Sequence, residues 1–483
     1  MSPHRFRFPR FSSFRSDSQS KPRSTEIDMS VGALWSKLIL FSIPLALSNV
    51  LQIAFNMADL VVVGRYVGDE ALAAVGSNVS LVSLLVCLIG GLTLGVGVLA
   101  SRFYGAKDDA ALRETVRTSF STVGLGSLLF AAIGIVFSAP ILRLMETPDD
   151  VLPLAALYLQ IYFAGFPALA IYNCAAAILR AVGDARRPLY YLTVAGVLNV
   201  VLNFIFVVFF GWGVVGVGVA TVAASVVSCV LTLRCLARSS AAYRFDWRDL
   251  RIDRNRLGSL LYIGIPAGVQ GSMFSFSNVV VQGAINSLGA TAMAGAAAGL
   301  QIESIIFVAQ NAFATASTTS VSQNVGAGSY SRVKRAVALC VLLDAIACAL
   351  LGGGALLFRR ELLGVFTPDE AAIRAGEIRV VILASTYILC GAMDVCGNAL
   401  RGLGYSLFPT LAIFFNVCVL RVVWITFVFP TRPSLETIFV SYPLSWTLAG
   451  VVLFAGYFLG RRRGFERLTA EKAQTPAPAT SSD

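Results

Sequence analysis

Charge is scarce in this chain. Only 13% of its 483 residues are Asp, Glu, Lys or Arg, and 56% are hydrophobic, against roughly 25% charged in an ordinary soluble protein. Mean hydropathy is +0.75, and that balance excludes a water-soluble globular enzyme. Histidine is almost absent. The one copy, His4, stands in a polar amino-terminal stretch, which removes histidine general-base chemistry and His-ligated metal sites. Nine cysteines (Cys87, Cys174, Cys229, Cys235, Cys340, Cys348, Cys390, Cys396 and Cys418) form no C-x-x-C pair and lie in apolar segments, so they read as small apolar fillers. Gly-Lys never occurs, so there is no P-loop for ATP-driven pumping.

What the chain has instead is apolar runs of membrane-spanning length, about 20 residues each. They predict spans at 35–64, 74–101, 118–140, 154–179, 188–210, 213–234, 258–284, 292–321, 335–358, 378–400, 408–429 and 437–460. The expected fold is an all-α membrane protein with twelve transmembrane helices in two pseudo-symmetric six-helix lobes, 35–234 and 258–460. A basic stretch, 1–34, precedes them, a basic linker, 235–257, joins them, and an Ala/Pro/Thr/Ser-rich tail, 461–483, is expected to be disordered. The first stretch lacks the apolar core of a cleavable signal peptide.

Charge placement orients these spans. With twelve of them, thirty Lys or Arg fall on the side of the termini and seven on the other: Arg65, Arg143, Arg359, Arg360, Arg374, Arg379 and Arg432. Arg421 lies within a span. The positive-inside rule then puts both termini and the linker in the cytoplasm of a plasma (inner) membrane protein. The linker's Arg238, Arg244, Arg248, Arg251, Arg254 and Arg256 answer membrane lipid headgroups, and no nucleic acid is implied.

The halves repeat each other. Ile43-Pro44 answers Ile265-Pro266, Ser101…Gly105-Ala106 answers Ser322…Gly326-Ala327, and Leu179-Arg180…Gly183…Pro188 answers Leu400-Arg401…Gly404…Pro409. The offsets are 222, 221 and 221. Copies of six spans each run parallel through the membrane and place a shared pathway between two lobes.

An intramembrane carboxylate costs roughly 2.5–3.5 kcal/mol on insertion scales, so each one demands an explanation. There are four: Asp59, Glu303, Asp344 and Asp394. Asp59 ends a stripe of Asn49, Gln52, Asn56 and Asp59, whose spacings of 3, 4 and 3 keep them within about 80° of one helix face. Protonation would remove the charge of Asp59 together with its burial penalty, and a Na⁺ could use the same oxygens. Asn199 and Asn203 share a face of the fifth span and are placed to complete a cluster around Asp59, or to bond between helices. Asn173 and Asp394 occupy equivalent repeat positions. Glu303 and Asp394 are either functional or buried structural pairs, with Arg421 as the available partner, and Asp344 receives no role. The Gly-Ala turns are read as cap devices, and the sequon Asn78-Val79-Ser80 as chance within a span.

The segments FNMADLVVVGRYVGDEALAAVG at 55–76, ASRFYGAKDD at 100–109 and ILRAVGDARRPLYYLTVAGVLNVVLNFIFV at 178–207 resemble the multidrug and toxic compound extrusion (MATE) family. So do LQIESIIF at 300–307, SQNVGAG at 322–328 and ALRGLGYSLFP at 399–409. The resemblance implies a cation-coupled antiporter that exports small amphipathic, cationic compounds in exchange for H⁺ or Na⁺, without a cofactor or resident metal, as a monomer. It implies a cation-coupling set of Asp59, Asn56, Asn199 and Asn203, and a substrate pathway of Gln52, Asn173, Glu303 and Asp394. Asp59 matches the family's first-helix aspartate and Asn199 an asparagine of the same polar cluster. Asn203 departs from the N-x-x-x-D motif of similar sequences. Its missing charge favours H⁺ over Na⁺. The rivals are a lipid-linked oligosaccharide flippase, which needs several cationic side chains for a pyrophosphate, and an intramembrane transferase, which needs a catalytic constellation no loop here supplies.

Overall fold

The structure is a computed structural model that describes residues 25–67, 69–145 and 147–473. The expectations for 1–24 and 474–483 lie outside the described residues. Among the described residues twelve long helices make up the fold: α1 Leu34–Tyr66, α2 Asp69–Ala106, α3 Asp109–Leu144, α4 Leu152–Ala181, α5 Arg186–Phe209, α6 Gly213–Ala237, α7 Arg254–Asn286, α8 Ala290–Gly326, α9 Tyr330–Leu357, α10 Glu370–Gly402, α11 Leu407–Thr431 and α12 Leu435–Ala473. Among the described residues there is no strand. The stretch 461–473, read from its composition as disordered, continues α12 as helix.

Eleven of the twelve are long and apolar enough to cross a membrane. The exception, α7, has 33 residues, about 50 Å of helix, but Gly, Ser, Gln and Asn replace much of its leucine. The reason is its neighbour. Gly91 and Gly95 of α2 lie against the backbone of α7 at Gly264, Gly268 and Leu260, where a Cβ on Gly95 would come within 2.6 Å of the Leu260 carbonyl. Small residues on both sides let the two helices touch backbone to backbone.

Local chemistry sets the ends and bends. Asp108, Asp253 and Asp369 cap α3, α7 and α10 by accepting hydrogen bonds from the backbone N–H groups of Ala111, Arg256 and Ala371. Pro44 and Pro266 sit inside α1 and α7, and the Ser48 hydroxyl donates to the Pro44 carbonyl at 2.8 Å. The repeat is visible in the backbone. Gly183 (φ +85°) and Gly404 (φ +98°) follow α4 and α10 in left-handed turns, a conformation that costs glycine little. A π-helical turn, Phe204–Phe209 in α5 and Trp424–Val428 in α11, falls at equivalent points of the two halves.

The apolar cores assign helices to lobes with one exchange. One core gathers α8 to α12 and includes Leu34, Leu38, Phe41 and Leu45 of α1. The other gathers α2 to α4 and α6 and includes Leu260 and Ile263 of α7. Each half therefore buries the start of its first helix in the other half's core. Contacts between the lobes also concentrate near the amino-terminal side: Gly105 against the backbone of Gln323, Gly326 against that of Arg102, and Arg102 Nη2 donating to the Gly402 carbonyl at 3.3 Å. At mid-helix Asn49 Nδ2 donates to Asn311 Oδ1 at 3.3 Å.

Candidate functional site

The first candidate lies between α1, α5 and α6, in the halves of these helices away from the amino terminus. Asn199 and Asn203, one turn apart on α5, are both buried. Asn203 Nδ2 donates to Asp59 Oδ1 at 2.5 Å and to Asn199 Oδ1 at 3.4 Å. Asn199 Nδ2 in turn donates to the Thr221 hydroxyl of α6 at 3.4 Å. Gly196 lets α1 approach α5, because its missing Cβ leaves room for the Phe55 ring. Val62, Val63, Val207, Val214 and Val217, with Tyr158 packed on them, form an apolar cluster of α1, α5 and α6 beside the polar one. Among the described residues no Lys or Arg forms an ion pair with Asp59. The carboxylate is thus half-buried, held by the Asn203 amide, and among the described residues free of a compensating cation. The Asn203 Oδ1 atom is buried without a partner, so the cluster presents an unused oxygen next to the carboxylate.

The second candidate fills the other lobe and has two parts. In one, Arg379 of α10 donates from Nε and Nη2 to Glu303 Oε2 of α8, at 2.9 and 2.7 Å. The Tyr387 hydroxyl donates to the second oxygen at 3.1 Å, and the guanidinium stacks 5.2 Å from the Phe439 ring centre. Both charges are nearly buried, with side chains 13% and 7% exposed for Glu303 and Arg379. In the other part, Gln310 Nε2 donates to Asp394 Oδ2 at 2.6 Å. Asn398 Nδ2 donates to the Asp394 backbone carbonyl at 3.0 Å, and Arg401 donates to Gln270 and Asn398. Among the described residues Arg421 forms no ion pair. Its Nε donates to Ser445 Oγ at 3.2 Å, its guanidinium lies 3.8 Å from the Tyr442 ring centre, and Nη2 has no partner. Asp344 is fully buried in the space left by Gly391, with the Cys348 thiol 3.9 Å away. Among the described residues no group of His, Cys, Asp and Glu is arranged to hold a metal ion.

The family signature matches twice, at residues 44–205 and 266–426, under the description MatE. The chain belongs to the MatE family of multidrug efflux transporters. The two matched blocks start at Pro44 and Pro266 and repeat the offset of 222 found in the sequence. A Bacillus subtilis (strain 168) protein named "Probable multidrug resistance protein YoeA" is 28% identical over 446 residues, 90% of this chain and 96% of its own length. A Shewanella oneidensis protein named "FAD transporter" is 22% identical over 438 residues, 88% of this chain and 94% of its own. The fold is that of a solved structure described as an outward-facing conformation of a multidrug resistance MATE family transporter. That match has a TM-score of 0.84 at 21% identity over 93% of this chain and 99% of that one.

Within this MatE fold the expected coupling set is only partly assembled. Asp59, Asn199 and Asn203 meet; Asn56 is exposed and makes no hydrogen bond among the described residues. The stripe on α1 splits because its middle faces the space between lobes: Asn49 already bonds across to Asn311, and Gln52, one turn on, is exposed. Asn173 turns back to its own helix, donating to the Leu169 carbonyl at 2.9 Å. Asn78 is buried and donates to the Ala155 carbonyl, which ends any reading of it as a glycan acceptor.

Three expectations are corrected. Arg379, counted as a residue of the far side, lies inside α10 and is buried, so six cations remain on that side. Arg379, and not Arg421, is the partner of Glu303, because it is the guanidinium one helix away on the facing surface. Arg421 is also not the sole buried arginine: among the described residues Arg379 and Arg401 are buried as well, each already bonded. Spacing held the signal for this face. Arg379, Tyr387, Cys390 and Asp394 recur at intervals of 8, 3 and 4, close to whole helical turns.

Proposed function

We propose that the chain is a proton-coupled antiporter that exports amphipathic cationic compounds across the plasma membrane by alternating access, with both termini cytoplasmic. The observation that carries this reading is Asp59, a half-buried carboxylate held by Asn203, with no cation beside it. A carboxylate so placed gains most from taking up a proton, because protonation removes its charge and its burial penalty at once. Na⁺ would ask for more negative charge than Asp59 and two neutral amides supply. Proton uptake from outside weakens the hold of the lobe on a cationic substrate and favours its release. Loss of the proton to the cytoplasm resets the site. Because the lobes are joined on the amino-terminal side, the proposed topology makes this arrangement the outward-facing one. It leaves Gln52 on the wall of the substrate pathway. Glu303 and Asp394 sit in bonded networks within their lobe, so their part in that pathway is indirect. No nucleic acid, cofactor or second subunit enters this reading.

An anionic cargo, such as a flavin nucleotide or a lipid pyrophosphate, is disfavoured. Among the described residues Arg379 and Arg401 are engaged by protein groups, and Arg421 donates to Ser445 and lies against the Tyr442 ring, so these three buried arginines are not several free guanidinium groups gathered for a pyrophosphate.

Two measurements test the reading. In proteoliposomes, an inwardly directed proton gradient should drive export with sodium absent, and Asn203→Asp should increase sodium dependence by adding a second carboxylate beside Asp59. Export that needs sodium and ignores the pH gradient would overturn the assignment. Topology is tested by a single cysteine in a cysteine-free background. Position 247 suits this, since Trp247 is 65% exposed whereas Phe245 is buried against Phe120. An impermeant reagent should label it only from the cytoplasmic side, and labelling from outside intact cells would reject the orientation.

A further inference from the structure

We infer that residues 25–32 form a latch that bridges the lobes on the amino-terminal side and must release one of them before that side can open. Sequence composition gives this stretch no role, yet its residues bond to both lobes. Toward the first lobe, the Thr25 hydroxyl donates to Asp184 Oδ2 at 3.0 Å, and the Tyr243 hydroxyl donates to the Glu26 carboxylate. Gly183, in its left-handed turn, lies under the Ile27 backbone so closely that a Cβ there would come within 2.8 Å of the Ile27 carbonyl carbon. Toward the second lobe, Met29 N donates to Gln323 Oε1 at 2.8 Å. The Met29 carbonyl accepts from Asn324 Nδ2 at 3.2 Å and Arg332 Nη2 at 3.1 Å, and Arg332 also donates to the Gly32 carbonyl at 3.1 Å. The Met29 side chain is fully buried in the second lobe's apolar core.

The bridge is closed through Gln323. Its Oε1 holds the latch while its Nε2 donates to the Ala181 carbonyl of the first lobe at 2.7 Å. One side chain on α8 thus contacts the latch and the end of α4 together, beside the seam where Gly105 and Gly326 bring α2 and α8 into backbone contact. The latch is internally stiffened: Asp28 Oδ1 accepts from the Ser30 backbone at 2.8 Å, and Lys37 Nζ donates to the Asp28 and Val31 carbonyls at 2.6 and 2.7 Å. Separating the lobes at this side strips a buried methionine of its pocket and breaks at least one set of these bonds. The segment therefore stabilises the state closed on this side and leaves the state open there unaided.

The inference rests on the alternating-access reading, and its test reads opening and not export, so the two can fail separately. Ser101 of α2 is 1% exposed near the seam, and Ser101→Cys in a cysteine-free background supplies a nearly isosteric reporter. Labelling by a maleimide applied to the amino-terminal side in proteoliposomes measures how often the seam opens. Tyr243→Phe removes one hydroxyl and leaves the ring packed. It should raise the labelling rate roughly three- to ten-fold, the shift expected from losing one net hydrogen bond. Met29→Ala, which empties the pocket in the second lobe, should raise it further, and thermal melting of both variants checks that they remain folded. Folded variants labelled at the parental rate would overturn the latch. So would faster labelling that appears equally at a control cysteine far from the seam, because that reports general loosening.

Discussion

Asp59→Asn is expected to reduce gradient-driven export to the level of vesicles without the protein, while expression and insertion stay at the parental level. The substitution keeps the shape of the side chain and an oxygen able to accept from Asn203 Nδ2, so the hydrogen bond at 2.5 Å has a successor. What it removes is the one group in the cluster that can change charge, since Asn199, Asn203 and Thr221 are neutral at any working pH. Insertion should not fall, because a buried charge worth roughly 2.5–3.5 kcal/mol on insertion scales is gone. Asp59→Ala is a poorer test, since it leaves Asn203 Nδ2 without its main acceptor in a buried site. Drug efflux in proteoliposomes under a fixed pH gradient, normalised to protein recovered, reads the result. Parental export by a well-expressed Asp59→Asn variant would end the coupling role of this carboxylate.

The second large effect is structural. Glu303→Gln leaves the Arg379 guanidinium buried between α8 and α10 with its charge uncompensated, at a cost of about 3–5 kcal/mol. The remaining contacts, a carbonyl at 3.3 Å and the Phe439 ring, satisfy only part of it. A marked fall in melting temperature in detergent is therefore expected. Joining Glu303→Gln with Arg379→Met should recover most of the loss, because no unpaired charge is then buried. The double-mutant cycle is the decisive quantity. Additive losses in the two single variants and the double would show that the pair does not hold α8 to α10.

The architecture was legible because membranes impose a simple code: every span must satisfy its own backbone hydrogen bonds, so length and apolarity mark it. The repeat was legible because turns and kinks need particular residues, and Pro44 with Pro266, or Gly183 with Gly404, keep their spacing. Helix α7 shows where the code weakens. Its Gly264 and Gly268 lie against α2, where small residues replace the leucines that would raise its hydropathy. Membership in the MatE family was readable for the same reason as the repeat, from segments that close turns and pack helices.

The site divides along a similar line. The spacing of Asn199 and Asn203 and the isolation of Asp59 in an apolar span identified three residues that the structure brings together. Asn56 and Gln52 share their helical face, but helix geometry alone cannot say which neighbour faces which turn of it. That depends on where α8 crosses α1, a matter of packing between lobes. Arg379 was misplaced because an arginine nine residues into a helix looks like a helix-end charge until the facing Glu303 is known. The segment 25–32 carried no signal, since its bonds run from short side chains and backbone groups to partners far along the chain, and no spacing within the segment marks them. Sequence by itself determined the twelve helices, the two-fold repeat and the lone carboxylate of α1, because these follow from the chain's own hydrophobicity and turn chemistry. Tertiary structure alone decided the charge partners, the exchange of α1 and α7 between the two cores, and the bridge through Gln323, because each joins groups separated by tens to hundreds of residues whose meeting depends on how whole helices pack.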